Sequence, residues 1–178
     1  HNFIEPKQAG EVVKGDYILE FGHLSRDKGT LTLLEVAKRM PDVRFLFAGY
    51  GAAVEEIKKV PNAEYVGFKT GTELKNLVAN AMCTVCPSEW YENCPYSVME
   101  SQTLGSPVIG ANIGGIPELV EEQKTGLMFE AGNADDLEKK LRFLLETPMI
   151  LETYTANCRE VSFETPETYY QQLVKIYG

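Results

Sequence analysis

Short apolar runs alternate with longer stretches of helical period along most of this 178-residue chain. Parallel strands joined by crossover helices produce such an alternation, because each helix covers the sheet with one apolar stripe. The pattern predicts six strands, at 17–22, 43–49, 63–68, 83–87, 107–111 and 125–130. It predicts helices at 30–40, 51–60, 71–81, 96–105, 115–123 and 133–146. We therefore expect an α/β fold with a doubly wound, mostly parallel, six-stranded sheet and helices on both faces.

The domain organisation follows from the absence of breaks in this pattern. Residues 15–146 contain no repeat, low-complexity tract or linker, so we expect one domain over 17–178 after a linker remnant at 1–16. The opening HNFIEPKQ lacks an initiator Met, and we expect the chain to be part of a longer protein.

Local signals predict several helix ends. Asn133 suits the start of the helix that follows it, and Gly105 suits a helix end. The tail TPETYYQQLVKIYG predicts a last amphipathic helix, whose apolar face carries Tyr170, Leu173, Val174 and Tyr177.

Composition restricts the partners. With 26 acidic and 17 basic residues the net charge is −9, which disfavours nucleic acid or an anionic membrane as the main partner. A small phosphate can still be held locally. We find no apolar run of about 20 residues for a membrane span. With two histidines and no Asp-x-Asp, we expect no metal site.

The cysteines point to a reducing compartment. Four cysteines in a chain of this length do not require disulfides, so we read them as reduced thiols of a cytoplasmic protein. The pair in CTVCPS is also compatible with a redox or zinc motif, but it lies in a predicted strand, which favours core thiols.

Loops after the strands are the candidate ligand-binding segments, because ligands of open parallel sheets bind outside the carboxyl ends of the strands. The first such loop, GHLSRDKG, carries Arg26 and Lys28 between two glycines, which suits phosphate. It matches neither the dinucleotide fingerprint G-x-G-x-x-G nor the P-loop, which lowers the expectation of NAD binding or ATP hydrolysis.

The stretch EWYENCPYSVMES contains two glutamates around a predicted helix start. Pro95 lies near the first helical position, where its missing N–H costs nothing, and the free amides of that turn suit a diphosphate. Glu92 precedes the helix, and Glu100 lies about one and a half turns inside it. Carboxylates accept hydrogen bonds from paired hydroxyls, so the two glutamates can bracket a ligand with a sugar at one end and a ribose at the other.

From about Tyr17 to Glu146 the chain resembles the C-terminal, donor-binding domain of GT-B fold glycosyltransferases, in particular family 4 of the retaining enzymes. The resemblance rests on GHLSRDKGTLTLLEVAKRMPDVRFLFAGYG, VGF and PSEWYENCPYSVMESQTLGSPVIGANIGGIPELVEEQKTGLMFEAGNADDLEKKL. The spacing of two glutamates with seven residues between them, followed by PVI and GGIPE, is its most specific part. The resemblance implies a Rossmann-like sheet that forms one half of the GT-B fold.

The resemblance also implies roles for the residues that match. Lys28 would neutralise the donor diphosphate, Glu92 would contact the hydroxyls of the donor sugar, and Glu100 would hold the ribose. The backbone around Asn93, Cys94, Pro95, Tyr96 and Ser97 would bind the sugar and phosphate, and the nucleobase would lie near Phe68 and Lys69. His23 occupies the position of a usual arginine, so phosphate binding should be weaker or more pH-dependent, unless Arg26 replaces that cation.

The implied function is a donor-binding domain. The full-length enzyme would transfer a hexosyl group from a UDP- or GDP-sugar, in polysaccharide biosynthesis, with retention of configuration and without a metal ion or other cofactor. Charge stabilisation on the departing diphosphate would be the main catalytic device. The N-terminal domain with the acceptor is absent, so the fragment alone would transfer nothing, and any peripheral membrane contact would be made by the missing half. Two alternatives remain open: a noncatalytic nucleotide-binding or scaffold domain, and a nucleotide-sugar epimerase.

Overall fold

A single parallel sheet of six strands forms the centre of the protein, in the order β3-β2-β1-β4-β5-β6. The structure is a computed structural model that describes residues 14–163, 170–171 and 174–175. Its strands are β1 (Tyr17–His23), β2 (Arg44–Tyr50), β3 (Ala63–Gly67), β4 (Cys83–Cys86), β5 (Val108–Ala111) and β6 (Gly126–Phe129). Its helices are α1 (Thr30–Arg39), α2 (Val54–Ile57), α3 (Gly71–Asn80), α4 (Tyr96–Thr103), α5 (Ile116–Leu119), α6 (Ala134–Glu146) and α7 (Pro148–Glu160). The predicted fold class is confirmed.

Both faces of the sheet are buried. Successive side chains of a strand point to opposite faces, so β1 and β2 supply two apolar clusters. Ile18 and Phe45 belong to the larger cluster, while Leu19 and Leu46 pack in the smaller one with Val78 of α3. Burial on both faces explains why these strands read as continuous apolar runs in the sequence.

Two helices are shorter than the sequence predicts. Helix α2 occupies only Val54–Ile57 of the predicted 51–60, because the turn before it is tied to the β1–α1 loop by the Ala53 N–H, which donates to the Leu24 carbonyl at 3.0 Å. Helix α5 occupies Ile116–Leu119 of the predicted 115–123, because Val120 is already extended and Glu122 forms a β-bridge with Gly126.

Helix α7 is absent from the sequence prediction. The helix buries Tyr154 and Cys158, which lie four residues apart, so its apolar stripe is narrow. Its threonines and asparagine are also weak helix formers. Pro148 in the first turn is the local signal of this helix, because proline is favoured at the start of helices.

The ends of the chain are described only in part. Lys14, inside the predicted linker remnant, packs on the domain: its ammonium group donates to the carbonyls of Ala81 at 2.8 Å and Gly105 at 3.1 Å. The predicted tail helix lies mostly outside the described residues, and of its apolar face Tyr170 and Val174 are described and exposed. Among the helices in the described ranges, none has the length and apolar character needed to cross a bilayer.

Asn133 caps α6 as the sequence predicts, since its side-chain oxygen accepts a hydrogen bond from the Asp136 N–H at 3.0 Å. The substitution Asn133→Ala should lower the free energy of unfolding by about 1 kcal/mol, because that amide loses its partner. Asn133→Asp keeps an acceptor and is the matched control. Urea denaturation measures both, and equal stabilities of Asn133→Ala and the wild type would contradict the assignment.

Candidate functional site

The site begins where two neighbouring strands separate. Pairing of β1 with β4 ends at Leu19 and Thr84, whereas pairing of β1 with β2 continues to His23 and Tyr50. The chain leaves β1 towards β2 and leaves β4 towards β5, in opposite directions across the sheet. Such a reversal leaves a crevice outside the carboxyl ends of the two strands.

A cavity of about 230 Å³ fills this crevice. Its walls come from the end of β1, the β1–α1 loop, the end of β4 and the start of α4. Six of the predicted site residues line it: His23, Lys28, Glu92, Pro95, Tyr96 and Ser97. The other lining residues are Glu20, Phe21, Gly22, Val85, Cys86, Pro87 and Ser88.

The turn that carries Lys28 and the loop ahead of Pro95 meet at this cavity. The ammonium group of Lys28 forms a hydrogen-bonded ion pair with Oε1 of Glu92, and both side chains are largely shielded from solvent. A backbone hydrogen bond from the Glu89 N–H to the Asp27 carbonyl, at 2.9 Å, joins the same two loops. The two segments that the sequence connects to one ligand therefore face a single space.

Gly29 allows this close approach. Its φ is +75°, and a Cβ atom added there would lie 1.8 Å from the Pro87 carbonyl oxygen. Any side chain at this position would have to push the β1–α1 loop away from the end of β4. The glycine therefore fixes the distance between Lys28 and the β4–α4 loop.

Glu92 is held from several sides. Its Oε1 accepts from the Ser88 hydroxyl at 3.3 Å as well as from Lys28, and its backbone carbonyl accepts from the Gly115 N–H at 2.6 Å. The β5–α5 loop thus fixes the backbone of Glu92, while Ser88 and Lys28 orient its side chain. A carboxylate fixed in this way can accept hydrogen bonds from ligand hydroxyls without reorganising first.

Helix α4 begins beside the cavity. Pro95 is its N-cap, one position before the first helical residue, Tyr96, and no side chain among the described residues caps this end. The first amides of a helix lack acceptors within the helix, and the macrodipole places partial positive charge on them. The cavity wall formed by Pro95, Tyr96 and Ser97 therefore suits an anion.

Aromatic rings extend from the cavity rim. His23 and Tyr50 are partners in the β1–β2 register, and their rings stack with centroids 5.2 Å apart. The Phe68 ring meets Tyr50 edge to face at 5.7 Å. A planar ligand group leaving the cavity along β1 and β2 would meet this aromatic row.

The remaining predicted residues are outside the lining of the cavity among the described residues: Arg26, Phe68, Lys69, Asn93, Cys94 and Glu100. Arg26 and Asn93 are exposed, and Lys69 lies 3.9 Å from the carboxylate of Glu73. Glu100 is half-buried, one turn beyond Ser97 in α4. Phe68 connects to the cavity rim through the ring contacts of Tyr50 and His23.

Among the residues at the site that the sequence prediction does not include, Glu20, Tyr50 and Ser88 carry polar side chains that the geometry brings into use. Glu20 is only 4% exposed, and burial raises its pKa to about 8 although the Thr30 hydroxyl donates to its Oε1 at 2.7 Å. Its signal in the sequence is a charge inside the apolar strand YILEFG, since buried carboxyl groups are rare. The sequence signal for Tyr50 and Ser88 is weaker: each lies at or just after the end of a strand, β2 for Tyr50 and β4 for Ser88.

Neither the cysteines nor the potential metal-binding side chains of the described residues form a second site. Cys83, Cys86 and Cys158 are free thiols whose pKa burial raises to about 12. The half-buried Cys94 contacts the Met99 sulfur at 3.5 Å. Within the described ranges no group of three or more His, Cys, Asp or Glu side chains is arranged to hold a metal ion.

Comparison with known proteins decides the family. The model of the family described as "Glycosyl transferases group 1" matches residues 2–161. The chain belongs to this family. The sheet order and the crevice between β1 and β4 agree with the GT-B fold of glycosyltransferases. Superposition on solved glycosyltransferase structures confirms this fold.

Three relatives of this group 1 glycosyltransferase chain are longer proteins. It is 33% identical over 134 residues to the sulfoquinovosyl transferase SQD2 of Arabidopsis thaliana, covering 72% of this chain but 26% of that protein. It superposes on S. aureus TarM with a TM-score of 0.82 at 20% identity, over 99% of this chain and 38% of TarM. It superposes on Anabaena HepE in complex with UDP-glucose with a TM-score of 0.78 at 22% identity, over 90% of this chain and 48% of HepE. The chain thus spans less than half the length of each.

A side chain at position 29 should separate the two loops of the site. Gly29→Ala should lower the free energy of unfolding by about 1–3 kcal/mol more than Gly132→Ala, because an added Cβ meets the Pro87 carbonyl. Gly132 is the matched control: its φ is +74°, and the nearest atom to an added Cβ is 3.7 Å away. Urea denaturation compares the two variants, and equal costs would show that the close approach is not required.

Proposed function

We propose that this chain is the C-terminal, donor-binding domain of a family 4 retaining glycosyltransferase. The full-length enzyme would transfer a hexosyl group from a nucleotide-diphosphate sugar to an acceptor. The observation that carries this proposal is the meeting of Lys28, Glu92 and the start of α4 at one cavity of a group 1 glycosyltransferase chain. That cavity offers a cation, amide donors and a carboxylate, which are the groups a sugar diphosphate requires.

The diphosphate would bind between Lys28 and the N-terminal turn of α4. Negative charge builds up on the diphosphate as the bond to the sugar breaks, so groups that stabilise this charge lower the barrier. Lys28 would then exchange part of its contact with Glu92 for a phosphate oxygen. Lys28 is a catalytic residue in this proposal, because it contacts the leaving group.

The sugar would lie against Glu92. The hydrogen bond from Ser88 orients this carboxylate, and the bond from the Gly115 N–H holds the backbone of Glu92, before the ligand arrives. Two hydroxyls on adjacent carbons of a hexose match the two oxygens of one carboxylate. Glu92 would therefore select and orient the sugar for transfer with retention, without a metal ion.

The nucleoside would extend along the rim of the cavity. Glu100 would accept from the ribose hydroxyls, with backbone groups from Asn93 and Cys94 nearby. Phe68 and Lys69 would flank the base. The edge-to-face contact of Phe68 with Tyr50 supports this part, since exposed aromatic rings provide a stacking surface for a base. The base would be uracil or guanine.

The acceptor would bind to a second domain. The chain covers 26% of the SQD2 relative and 38% of TarM, so relatives contain further sequence that can supply an acceptor site. We propose that an N-terminal domain completes the GT-B fold and that the present chain alone transfers nothing. This organisation would leave any membrane contact to the other domain of a cytoplasmic enzyme.

His23 favours a second candidate, a noncatalytic nucleotide-binding domain. Histidine lacks the permanent charge and the two-pronged donor geometry of arginine, and this one stacks on Tyr50. A site with one permanent cation, Lys28, would stabilise a departing diphosphate less than a site with arginine as well. Binding without transfer would then be the outcome.

Binding of the nucleotide is the first test. Calorimetry of this chain with UDP-glucose and GDP-mannose should detect binding of one of them, and Lys28→Met should weaken it about tenfold or more because a phosphate contact is lost. The matched control is Lys38→Met, since Lys38 is an exposed lysine of α1 outside the cavity. Equal affinities of the Lys28 and Lys38 variants would contradict the diphosphate assignment.

Transfer by the full-length protein distinguishes the candidates. Glu92→Gln should reduce the rate of transfer about a hundredfold or more, because the sugar loses an oriented carboxylate. Glu89→Gln is the matched control: Glu89 lies in the same loop and accepts from the Thr32 hydroxyl at 2.5 Å, outside the cavity. Binding without transfer in the wild type would support the noncatalytic domain, and conversion of the free donor without acceptor would indicate an epimerase.

A further inference from the structure

The floor of the cavity contains a buried carboxyl group that the proposed function leaves unused. Glu20 lies on β1 and lines the cavity together with Lys28, Cys86 and Glu92. Its Oε1 accepts the hydrogen bond of the Thr30 hydroxyl at 2.7 Å. Its Oε2 is buried and has no hydrogen-bond partner among the described residues. A buried polar atom without a partner is destabilising, so its position beside a ligand cavity suits a hydrogen bond to a ligand group.

We propose that Glu20 is a further donor-binding residue and that its Oε2 donates a hydrogen bond to the diphosphate of the bound nucleotide from the floor of the cavity. This inference rests on the proposed function, because it takes the diphosphate to be the group held beside Lys28 and the start of α4. It adds a contact to the cation and the helix amides on the cavity walls.

The chemistry of the site selects this form of contact. An ionised carboxylate on the floor would repel a diphosphate, whereas a neutral carboxyl group has one O–H to donate. Burial raises the pKa of Glu20 to about 8, so the neutral form is the main one at pH 7. The Thr30 hydroxyl occupies Oε1 as an acceptor, which leaves the proton for Oε2.

The charged and titratable groups around Glu20 are few. From β2 its register partner is the apolar Phe47, and from α1 the first turn contributes Thr30 and no acidic residue. From β4 it faces Cys86, whose pKa of about 12 keeps the thiol neutral. The cavity walls add the titratable groups of His23, Lys28, Glu92 and Tyr96.

The pH dependence of diphosphate binding tests the proposal. Calorimetry of this chain with UDP and GDP, from about pH 7 to about pH 9.5, should show affinity that falls up to about tenfold per pH unit once Glu20 ionises. Glu20→Gln keeps an N–H donor of similar shape and does not titrate. Its affinity should therefore lack this loss, and any loss from His23, Lys28 or the nucleotide remains in both proteins.

Two further measurements isolate the contact. Thr30→Val removes the hydrogen bond that lowers the pKa of Glu20, so the midpoint of the loss should move to higher pH. Uridine and guanosine lack the diphosphate, so their binding should not differ between the wild type and Glu20→Gln. If Glu20→Gln does not fold, the Thr30→Val shift and the infrared band of a protonated carboxyl group in the wild type, lost as pH rises, decide the question.

The outcomes separate this inference from the function on which it rests. Binding of UDP or GDP with the same pH profile in wild type and Glu20→Gln would overturn the role of Glu20 and leave the donor-binding function intact. An equal effect of Glu20→Gln on uridine would also overturn it, because the contact would not be to the diphosphate. Failure of the wild type to bind either nucleotide at any pH would overturn both.

Discussion

The separation of β1 from β4 after Leu19 and Thr84 is the constraint on which the site depends. Up to that point the two strands share backbone hydrogen bonds, and beyond it the chain turns to opposite sides of the sheet. The loops that follow must then cross the same gap, and Gly29 lets them approach each other closely. The ion pair of Lys28 and Glu92, the start of α4 and the exposed edge of β1 are brought together by this one feature of topology.

The sequence predicts what is local. Most strands are mainly apolar runs. The carboxyl ends of parallel strands share one edge, so the sequence also predicts that the loops of Lys28 and Glu92 lie close together, and the two side chains are in contact. Helix α7 is missing from the sequence prediction because its buried face consists of Tyr154 and Cys158 alone. So narrow an apolar stripe can be recognised as a buried face only from the packing of the helix on the domain. The stacking of His23 on Tyr50 follows from a register between two strands, which no single segment encodes.

The proposed binding of an anion has to be reconciled with the acidic character of the protein. With a net charge of −9 the long-range field is unfavourable, so the attraction has to be local. The local attraction comes from the charge of Lys28 and from the start of α4, which no side-chain hydrogen bond among the described residues caps. The backbone dipoles of the helix are fixed in place, so an anion there does not require a second charged side chain to lose its water. The pairing of Lys28 with Glu92 offsets one charge by another, so that a ligand with both phosphate and hydroxyl groups matches the site better than phosphate alone.

Because position 23 is a histidine and not an arginine, the protonation state of the buried Glu20 matters more for the proposed binding of a diphosphate. An arginine there would hold a diphosphate at any physiological pH, and the state of a carboxyl group on the cavity floor would matter little. A buried carboxyl group is neutral only below its raised pKa, which is about 8 for Glu20. Glu20 therefore loses the form that can donate to an anion as pH rises. The proposed binding of a diphosphate in this cavity should consequently weaken towards alkaline pH more steeply than the charge of Lys28 and the helix dipole alone would allow.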